Sequence, residues 1–161
     1  MTQTMPATGD NAPDFTLPQD QGTPITLSEL SGNPVVLFFY PKDNTPGCTT
    51  EALDFTALLP AFQALGVPVL GVSKDSLKKH ENFRAKHALG IRLLSDSEGD
   101  VCERYGTWGE KKNYGRTVVG VIRSTALIGK NGKAVKVWDK RQFKNLDGDK
   151  ELGTRNIKVA L

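Results

Sequence analysis

Cys48 is the residue of this 161-residue chain whose type and position most clearly favour chemistry. It follows a turn-forming segment, residues 41–47, and stands at the start of a stretch with helical periodicity. A helix N-terminus offers unpaired N–H groups and the positive end of the helix dipole, which stabilise a thiolate. Thr45, three residues earlier, can direct its hydroxyl to the same point. The pattern therefore predicts a reactive sulfur rather than an inert core thiol.

A strand and a helix must hold Cys48 in place. Residues 34–40 are an unbroken apolar run, which is typical of a central strand covered on both faces. Apolar residues then recur at helical spacing from Leu53 to Leu65, and Gly66 ends the pattern. The same rules predict a short edge strand over 14–17, a helical turn over 27–30 capped by Ser28, strands over 67–72 and 91–94, helices over 76–89 and 98–105, and a hairpin of 118–128 with 134–138. Strands alternating with helices, followed by a hairpin, predict an α/β sandwich with a mixed sheet.

Composition limits the class of protein. The chain is 38% apolar and 24% charged, which excludes a disordered chain, and no run approaches the ~20 apolar residues of a membrane span. Basic residues are interleaved with acidic ones at a net charge of +3, so we expect no nucleic-acid or membrane partner. Residues 1–13 lack the regions of a secretory signal, which predicts the cytoplasm. The length predicts one domain over 1–161, with no clear pattern in the tail from Lys144.

Other uses of the cysteines and histidines fit less well. The chain has two cysteines, Cys48 and Cys102, and no C-x-x-C pair for disulfide exchange. His80 and His87 are seven residues apart on a predicted helix, about 10 Å along its axis, which is too far to share one metal. A Cys–His hydrolase would need a histidine beside Cys48. We expect both histidines to be exposed on their polar helix instead.

Residues 41–51, PKDNTPGCTTE, look like the active-site loop of the peroxiredoxins. The longer stretch FFYPKDNTPGCTTE resembles the subfamily called peroxiredoxin Q or bacterioferritin comigratory protein. Further matches follow in order along residues 9–140: GDNAPDF from Gly9, LGVSKD from Leu70, YGTWGEK from Tyr105 and RST from Arg123. The resemblance fades over the last twenty residues.

This resemblance implies a thioredoxin-like fold and the thiol-dependent reduction of hydrogen peroxide and organic hydroperoxides, without a cofactor. It implies that Cys48 is the peroxidatic cysteine and that Thr45 hydrogen-bonds the peroxide and the thiolate. It further implies that Pro41 shields the sulfur from solvent and that Arg123 lies beside the thiolate. Fixed donors at a developing charge lower the barrier to reaction, so these residue types suit the chemistry.

The chain departs from its subfamily at the resolving cysteine. Relatives carry that cysteine five residues after the peroxidatic one, which is Leu53 here, or in the next helix at the position of Arg84. We therefore expect a one-cysteine cycle in which an external thiol, namely thioredoxin, glutaredoxin or glutathione, attacks the oxidised sulfur. For Cys102 we expect a buried, inert thiol, with a resolving role and pairing between molecules as the alternatives.

A second class of function remains open from the sequence. The same environment of Cys48 would serve a peroxide-sensing or chaperone-like protein that passes its oxidation to a partner without steady turnover. Repeated turnover with a reductant distinguishes an enzyme from such a sensor. We expect a monomer, because members of the subfamily often are monomeric.

Overall fold

The computed structural model describes residues 5–113 and 115–139. They form nine strands, three α-helices and one 3-10 turn. The strands are β1 (Thr16–Leu17), β2 (Ile25–Thr26), β3 (Val35–Phe39), β4 (Val69–Ser73), β5 (Arg92–Ser95), β6 (Trp108–Asn113), β7 (Arg116–Val121), β8 (Ser124–Ile128) and β9 (Ala134–Asp139). The helices are α1 (Pro46–Ala64), α2 (Leu77–His87) and α3 (Val101–Arg104), and the 3-10 turn is Leu27–Leu30.

A five-stranded sheet in the order β5-β4-β3-β8-β9 forms the centre of the fold. β3 runs parallel to β4 and β4 runs parallel to β5, whereas β8 is antiparallel to both β3 and β9. All five residues of β3 are buried, because other elements cover both faces of the sheet at this strand. The predicted central strand and mixed sheet are confirmed.

Side chains pack on both faces of this sheet. Even-numbered residues of β3 contact the core under α1 and α2, and odd-numbered residues contact the core under α3, β1 and β2. The buried aromatic residues of the first core are Phe38, Tyr40, Phe55, Phe62, Phe83 and Trp138, and those of the second are Phe15, Phe39 and Tyr105. Elements therefore cover the sheet on both sides, which confirms the predicted α/β class.

One close contact sets α1 against the sheet. The Phe38 ring stacks on that of Phe55 in α1, with the two centroids 4.6 Å apart. Gly71 of β4 pairs with Phe38 of β3, and a Cβ atom on Gly71 would lie 2.6 Å from Cζ of Phe38. The missing side chain at Gly71 thus makes room for the ring on which α1 rests.

Local signals explain where the two longer helices begin and end. Pro46 occupies the first position of α1, where the absent N–H group costs nothing, and Gly66 adopts a φ of +70° just beyond the helix. Ser76 caps α2 by accepting a hydrogen bond from the amide of Lys79 at 3.2 Å. Ala88 ends α2 in the left-handed conformation. None of the helices within the described residues is long and apolar enough to cross a membrane.

Several predicted boundaries differ from the structure. The strand predicted over 118–128 is broken at residues 122–123, and its first part pairs with β6 in a separate hairpin that the sequence did not indicate. Helix α3 is shorter than predicted. Ser28 does not cap its turn; Thr26 holds that position, and the Ser28 amide donates to the carboxylate of Asp14. The tail from Lys144 lies outside the described residues.

Candidate active site

Cys48 lies in the first turn of α1, immediately after the loop that follows β3. Its side chain is buried, with 2% of the residue exposed. Thr45 precedes the helix in an extended conformation, so Cys48 is the third helical residue. The Sγ atom accepts a hydrogen bond from Nη2 of Arg123 at 3.3 Å. The prediction that Cys48 lies at a helix N-terminus is therefore confirmed.

Arg123 reaches Cys48 from the two-residue link between β7 and β8. Its Nη1 atom donates to Oε1 of Glu51 at 2.8 Å, so one guanidinium group contacts both the sulfur and a carboxylate. Burial opposes the charge of Arg123, but Glu51 and Cys48 outweigh that penalty and raise the pKa of the guanidinium. A fixed positive charge thus lies within hydrogen-bond distance of the sulfur.

The side chain of Thr45 is half-buried at the start of α1. Its hydroxyl donates to the carbonyl oxygen of Lys42 at 2.7 Å and makes no capping bond to the helix. The amides of the first helical turn are therefore not bound by the side chain of the residue that precedes the helix. Because a hydroxyl that donates can still accept, Thr45 keeps an acceptor for a hydroperoxide O–H. Pro41 is also half-buried, one residue after the buried Tyr40.

Cys102 lies on the opposite side of the central sheet from Cys48. It is fully buried in the core that contains Phe39, whereas Cys48 belongs to the core that contains Phe38. Burial, reinforced by the nearby carboxylate of Asp96, raises the pKa of the Cys102 thiol far above its ordinary range. A thiol that stays protonated is a poor nucleophile. Both cysteines are free.

The expectation that both histidines are exposed is wrong. His80 is fully buried, with its Nδ1 atom 2.6 Å from Oδ2 of Asp43 and its Nε2 atom 2.9 Å from the carbonyl oxygen of Leu94. His87 is half-buried and meets the ring of Phe83 edge-on. Because both ring nitrogens of His80 are already bound, His80 is not placed to act as a base for Cys48.

Asp43 belongs to a buried polar network beside the Cys48 loop. The hydroxyl of Tyr40 donates to Oδ1 of Asp43 at 2.6 Å, and the Asp43 amide donates to Oδ2 of Asp75 at 2.8 Å. Ser73 also donates to that oxygen of Asp75. Burial, together with Asp43, raises the pKa of the Tyr40 phenol well above its ordinary value, so the phenol remains a donor.

Sequence reasoning missed Glu51 and the pair of Asp43 and His80. Glu51 lies three residues after Cys48, and residues at that spacing share one face of a helix, so the spacing was an available signal. No comparable signal linked Asp43 with His80, which are 37 residues apart.

The two positions at which relatives carry a resolving cysteine are occupied differently here. Leu53 is 41% exposed on α1. Arg84 forms two hydrogen bonds to the carboxylate of Asp20, at 2.6 and 2.9 Å, and a third to the carbonyl oxygen of Leu89. The Arg84 side chain thus joins α2 to the loop between β1 and β2.

Comparisons with known proteins agree with this arrangement. Residues 8–137 match the model of the AhpC/TSA family. Peroxiredoxin Bcp of Xanthomonas campestris is 46% identical over 127 residues, which cover 79% of both chains. Peroxiredoxin Bcp of Bacillus subtilis is 45% identical over 137 residues, which cover 85% of this chain and 87% of that one.

A solved structure shows the same fold. It is that of the bacterioferritin comigratory protein of Xanthomonas campestris, whose reported subject is alkyl peroxide reduction and a trapped intermediate. It superposes with a TM-score of 0.75 at 41% identity and covers 91% of this chain and 92% of its own.

Proposed function

We propose, since this chain belongs to the AhpC/TSA family as a peroxiredoxin of the Bcp type, that Cys48 is the sulfur that its thiol-dependent peroxidase activity oxidises. The observation that carries this assignment is the contact of 3.3 Å between Nη2 of Arg123 and Sγ of Cys48. A guanidinium group and the amide end of α1 both favour the thiolate. At Cys102, burial and the nearby Asp96 carboxylate disfavour the thiolate.

The first half of the cycle is a nucleophilic displacement at oxygen. The Cys48 thiolate attacks one oxygen of the peroxide, the S–O bond forms and the O–O bond breaks. The sulfur is oxidised to a sulfenic acid, and the peroxide leaves as water or an alcohol after it takes up a proton. Arg123 stabilises the negative charge as it moves from the sulfur to the leaving oxygen. Glu51 holds the guanidinium in place through its bond of 2.8 Å.

Thr45 and Pro41 complete the proposed site. The Thr45 hydroxyl donates to Lys42, which orients its lone pairs as an acceptor for the O–H group of the peroxide. Pro41 follows the central strand and limits access of water to the sulfur. Exclusion of water strengthens the charge interactions on which the displacement depends.

The second half of the cycle needs a thiol from outside the chain. A first thiol attacks the sulfenic acid, which releases water and forms a mixed disulfide, and a second thiol releases the reduced Cys48 and an external disulfide. Three observations support this one-cysteine cycle: Leu53 and Arg84 stand at the resolving positions, and Cys102 is buried across the sheet.

The substrates, reductant and setting belong to the same proposal. We infer hydrogen peroxide and organic hydroperoxides as substrates, because the Xanthomonas campestris relative reduces alkyl peroxides. Thioredoxin, glutaredoxin and glutathione are the candidate reductants. Two free thiols are typical of a reducing compartment such as the cytoplasm. A single-domain monomer is the expected form.

Mass spectrometry of the intact protein tests the assignment. One equivalent of hydrogen peroxide is added to the fully reduced protein in the presence of a sulfenic-acid trap. We expect one adduct that maps to Cys48, with Cys102 recovered as a free thiol, because burial and Asp96 keep the Cys102 thiol protonated. The same sample without peroxide is the control.

Two other results would overturn parts of this proposal. A loss of two hydrogens without an adduct would show an internal disulfide and therefore a resolving role for Cys102. In a second experiment without the trap, oxidised Cys48 that no reductant returns to the thiol over repeated additions of peroxide would favour the sensor over the enzyme.

Excess peroxide should overoxidise the protein. Without an internal resolving cysteine the sulfenic acid persists until an external thiol arrives, so a second peroxide can convert it to the sulfinic acid. We expect Cys48 to gain the mass of two oxygen atoms when peroxide is in large excess and no reductant is present. Addition of a thiol before the peroxide should suppress this gain, and its failure to do so would contradict the proposed resolving step.

A further inference from the structure

The loop that leads to Cys48 is fixed at Asp43 by partners from three other parts of the fold. Tyr40 and His80 bind its two carboxylate oxygens, both at 2.6 Å, and Asp75 binds its backbone amide. Asp43 itself is 6% exposed. A carboxylate removed from water in this way is held by charge-assisted hydrogen bonds, which are the strong ones.

His80 must carry a proton on each ring nitrogen to make both of its bonds. Its Nδ1 atom faces the Asp43 carboxylate and its Nε2 atom faces the Leu94 carbonyl oxygen, and both of these groups only accept. A neutral imidazole has a single N–H group, so it would leave one of these two acceptors facing a lone pair. The geometry therefore requires an imidazolium.

The charges around His80 favour that state. Burial alone would lower the pKa of His80, but the hydrogen bond and charge of Asp43 outweigh it and raise the pKa, with a further contribution from Asp75. Tyr40, at the end of β3, stays neutral and donates. On α2 itself, Lys79 has its Nζ atom 4.0 Å from Oδ1 of Asp75, so it partly offsets the charge of that residue.

A short covalent and hydrogen-bonded path joins Asp43 to the reacting sulfur. The carbonyl of Lys42, which precedes Asp43, accepts the Thr45 hydroxyl, and Asn44 between them adopts a left-handed φ of 62°. The Thr45 carbonyl accepts the amide of Thr49, the first backbone hydrogen bond of α1. Displacement of Asp43 would therefore move Thr45 and the first turn of the helix.

We propose that His80 is a positioning residue for peroxide reduction: its doubly hydrogen-bonded imidazolium holds Asp43, and through Asp43 it holds Thr45 and the first turn of α1 in the reactive arrangement. The proposal rests on Cys48 being the oxidised sulfur. It goes beyond the site residues named above, because His80 contacts neither the sulfur nor the peroxide.

A pH dependence follows from this arrangement. Because the pKa of His80 is raised in the folded protein, both ring bonds are present below the ordinary histidine pKa. As the pH rises through the raised value, the ring loses its bond to Leu94 and holds Asp43 by one bond alone. The rate of Cys48 oxidation should fall at high pH as His80 loses a proton, which gives the pH profile a falling limb. The falling limb is the signature of His80.

Two amide variants separate the functions of the two ring nitrogens. His80→Asn places an N–H donor near the Nδ1 position, so it can still bind Asp43, and His80→Gln places one near the Nε2 position, so Asp43 loses its partner. We expect His80→Gln to slow Cys48 oxidation by roughly 10-fold, as a small displacement of reacting groups does. His80→Asn keeps the bond to Asp43 and loses the bond to Leu94, as a neutral ring would. We therefore expect it to retain the rate that the wild type has at the high-pH end of the falling limb, and neither variant to show that limb. His87→Gln, on the same helix, is the matched control and should match the wild type.

The readouts are the rate of sulfenic-acid formation at Cys48, followed by quenched flow and mass, and the nitrogen NMR signals of His80 in the wild type. At about pH 7, above the ordinary histidine pKa of about 6.5, we expect both ring nitrogens to be protonated. The NMR measurement needs no variant, so it decides the matter even if the variants fail to fold. A neutral His80 at that pH, or a falling limb that persists in both variants, would overturn the proposal. If Cys48 is oxidised in none of the proteins, the proposed function fails and not the role of His80.

Discussion

Replacement of Cys48 by serine is expected to abolish peroxide reduction. A serine hydroxyl stays protonated at neutral pH and its oxygen cannot pass through the sulfenic acid on which the cycle depends. The change removes one sulfur from a buried site and introduces an atom that can still accept the hydrogen bond of Arg123. We therefore expect a folded protein without turnover, measured as peroxide consumed with dithiothreitol as the reductant.

The other cysteine supplies the control for this experiment. Cys102→Ser changes the same atom on the opposite side of the sheet and should leave turnover with an external thiol close to that of the wild type. It should reduce the stability of the fold, because a hydroxyl would replace a thiol in an apolar core. Turnover that survives Cys48→Ser but is lost in Cys102→Ser would reverse the assignment of the two thiols.

Replacement of Arg123 by methionine is expected to slow the oxidation of Cys48 by about 10²-fold. Methionine has a similar length and no charge, so the sulfur loses its donor and the leaving oxygen loses the nearby positive charge. Removal of one such donor from an active site costs on the order of 10²–10³ in rate. Glu51 would also lose this partner at 2.8 Å. The rate is measured by quenched flow with limiting peroxide.

Arg92 provides the matched control. It is an exposed arginine at the start of β5, so Arg92→Met removes the same charge from the molecule without touching the site. Equal slowing in both variants would show an effect of the net charge of the protein rather than of the contact between Arg123 and Cys48. An unchanged rate in Arg123→Met would contradict the assignment of Arg123 to the transition state.

Most of the central fold followed from patterns in the sequence. The unbroken apolar run that ends at Tyr40 and the helical periodicity after Cys48 indicated the β3–loop–α1 unit. A strand buried on both faces gives a continuous apolar run, whereas a helix buried on one face gives apolar residues at helical spacing. The hairpin of β6 and β7 did not follow. Its first strand, WGEKKN from Trp108, has three charged residues in six, so it lacks the apolar alternation of a half-buried strand.

The candidate site was predictable where its residues lie close together in the chain. The segment from Pro41 to Cys48 carries its own turn and helix signals, and Arg123 came only from resemblance to a known family. His80 was misjudged because charged residues surround it on α2 and suggested an exposed face. Its burial depends on Asp43, which reaches it only through tertiary folding, and a single sequence has no signal for that contact.

Gly71 of β4 helps to set the position of the active-site helix α1 on the sheet. The Phe38 ring occupies the space that the missing side chain leaves. Phe55 of α1 stacks on that ring, so this contact also positions Cys48 at the start of α1. Arg123 instead immediately precedes β8, which pairs with the edge of β3 opposite to β4. The distance between the Cys48 sulfur and the Arg123 guanidinium is therefore set by two separate packing arrangements on one sheet. A methyl group added at residue 71 would shift α1 and Cys48 but not Arg123, although it contacts neither of these two residues.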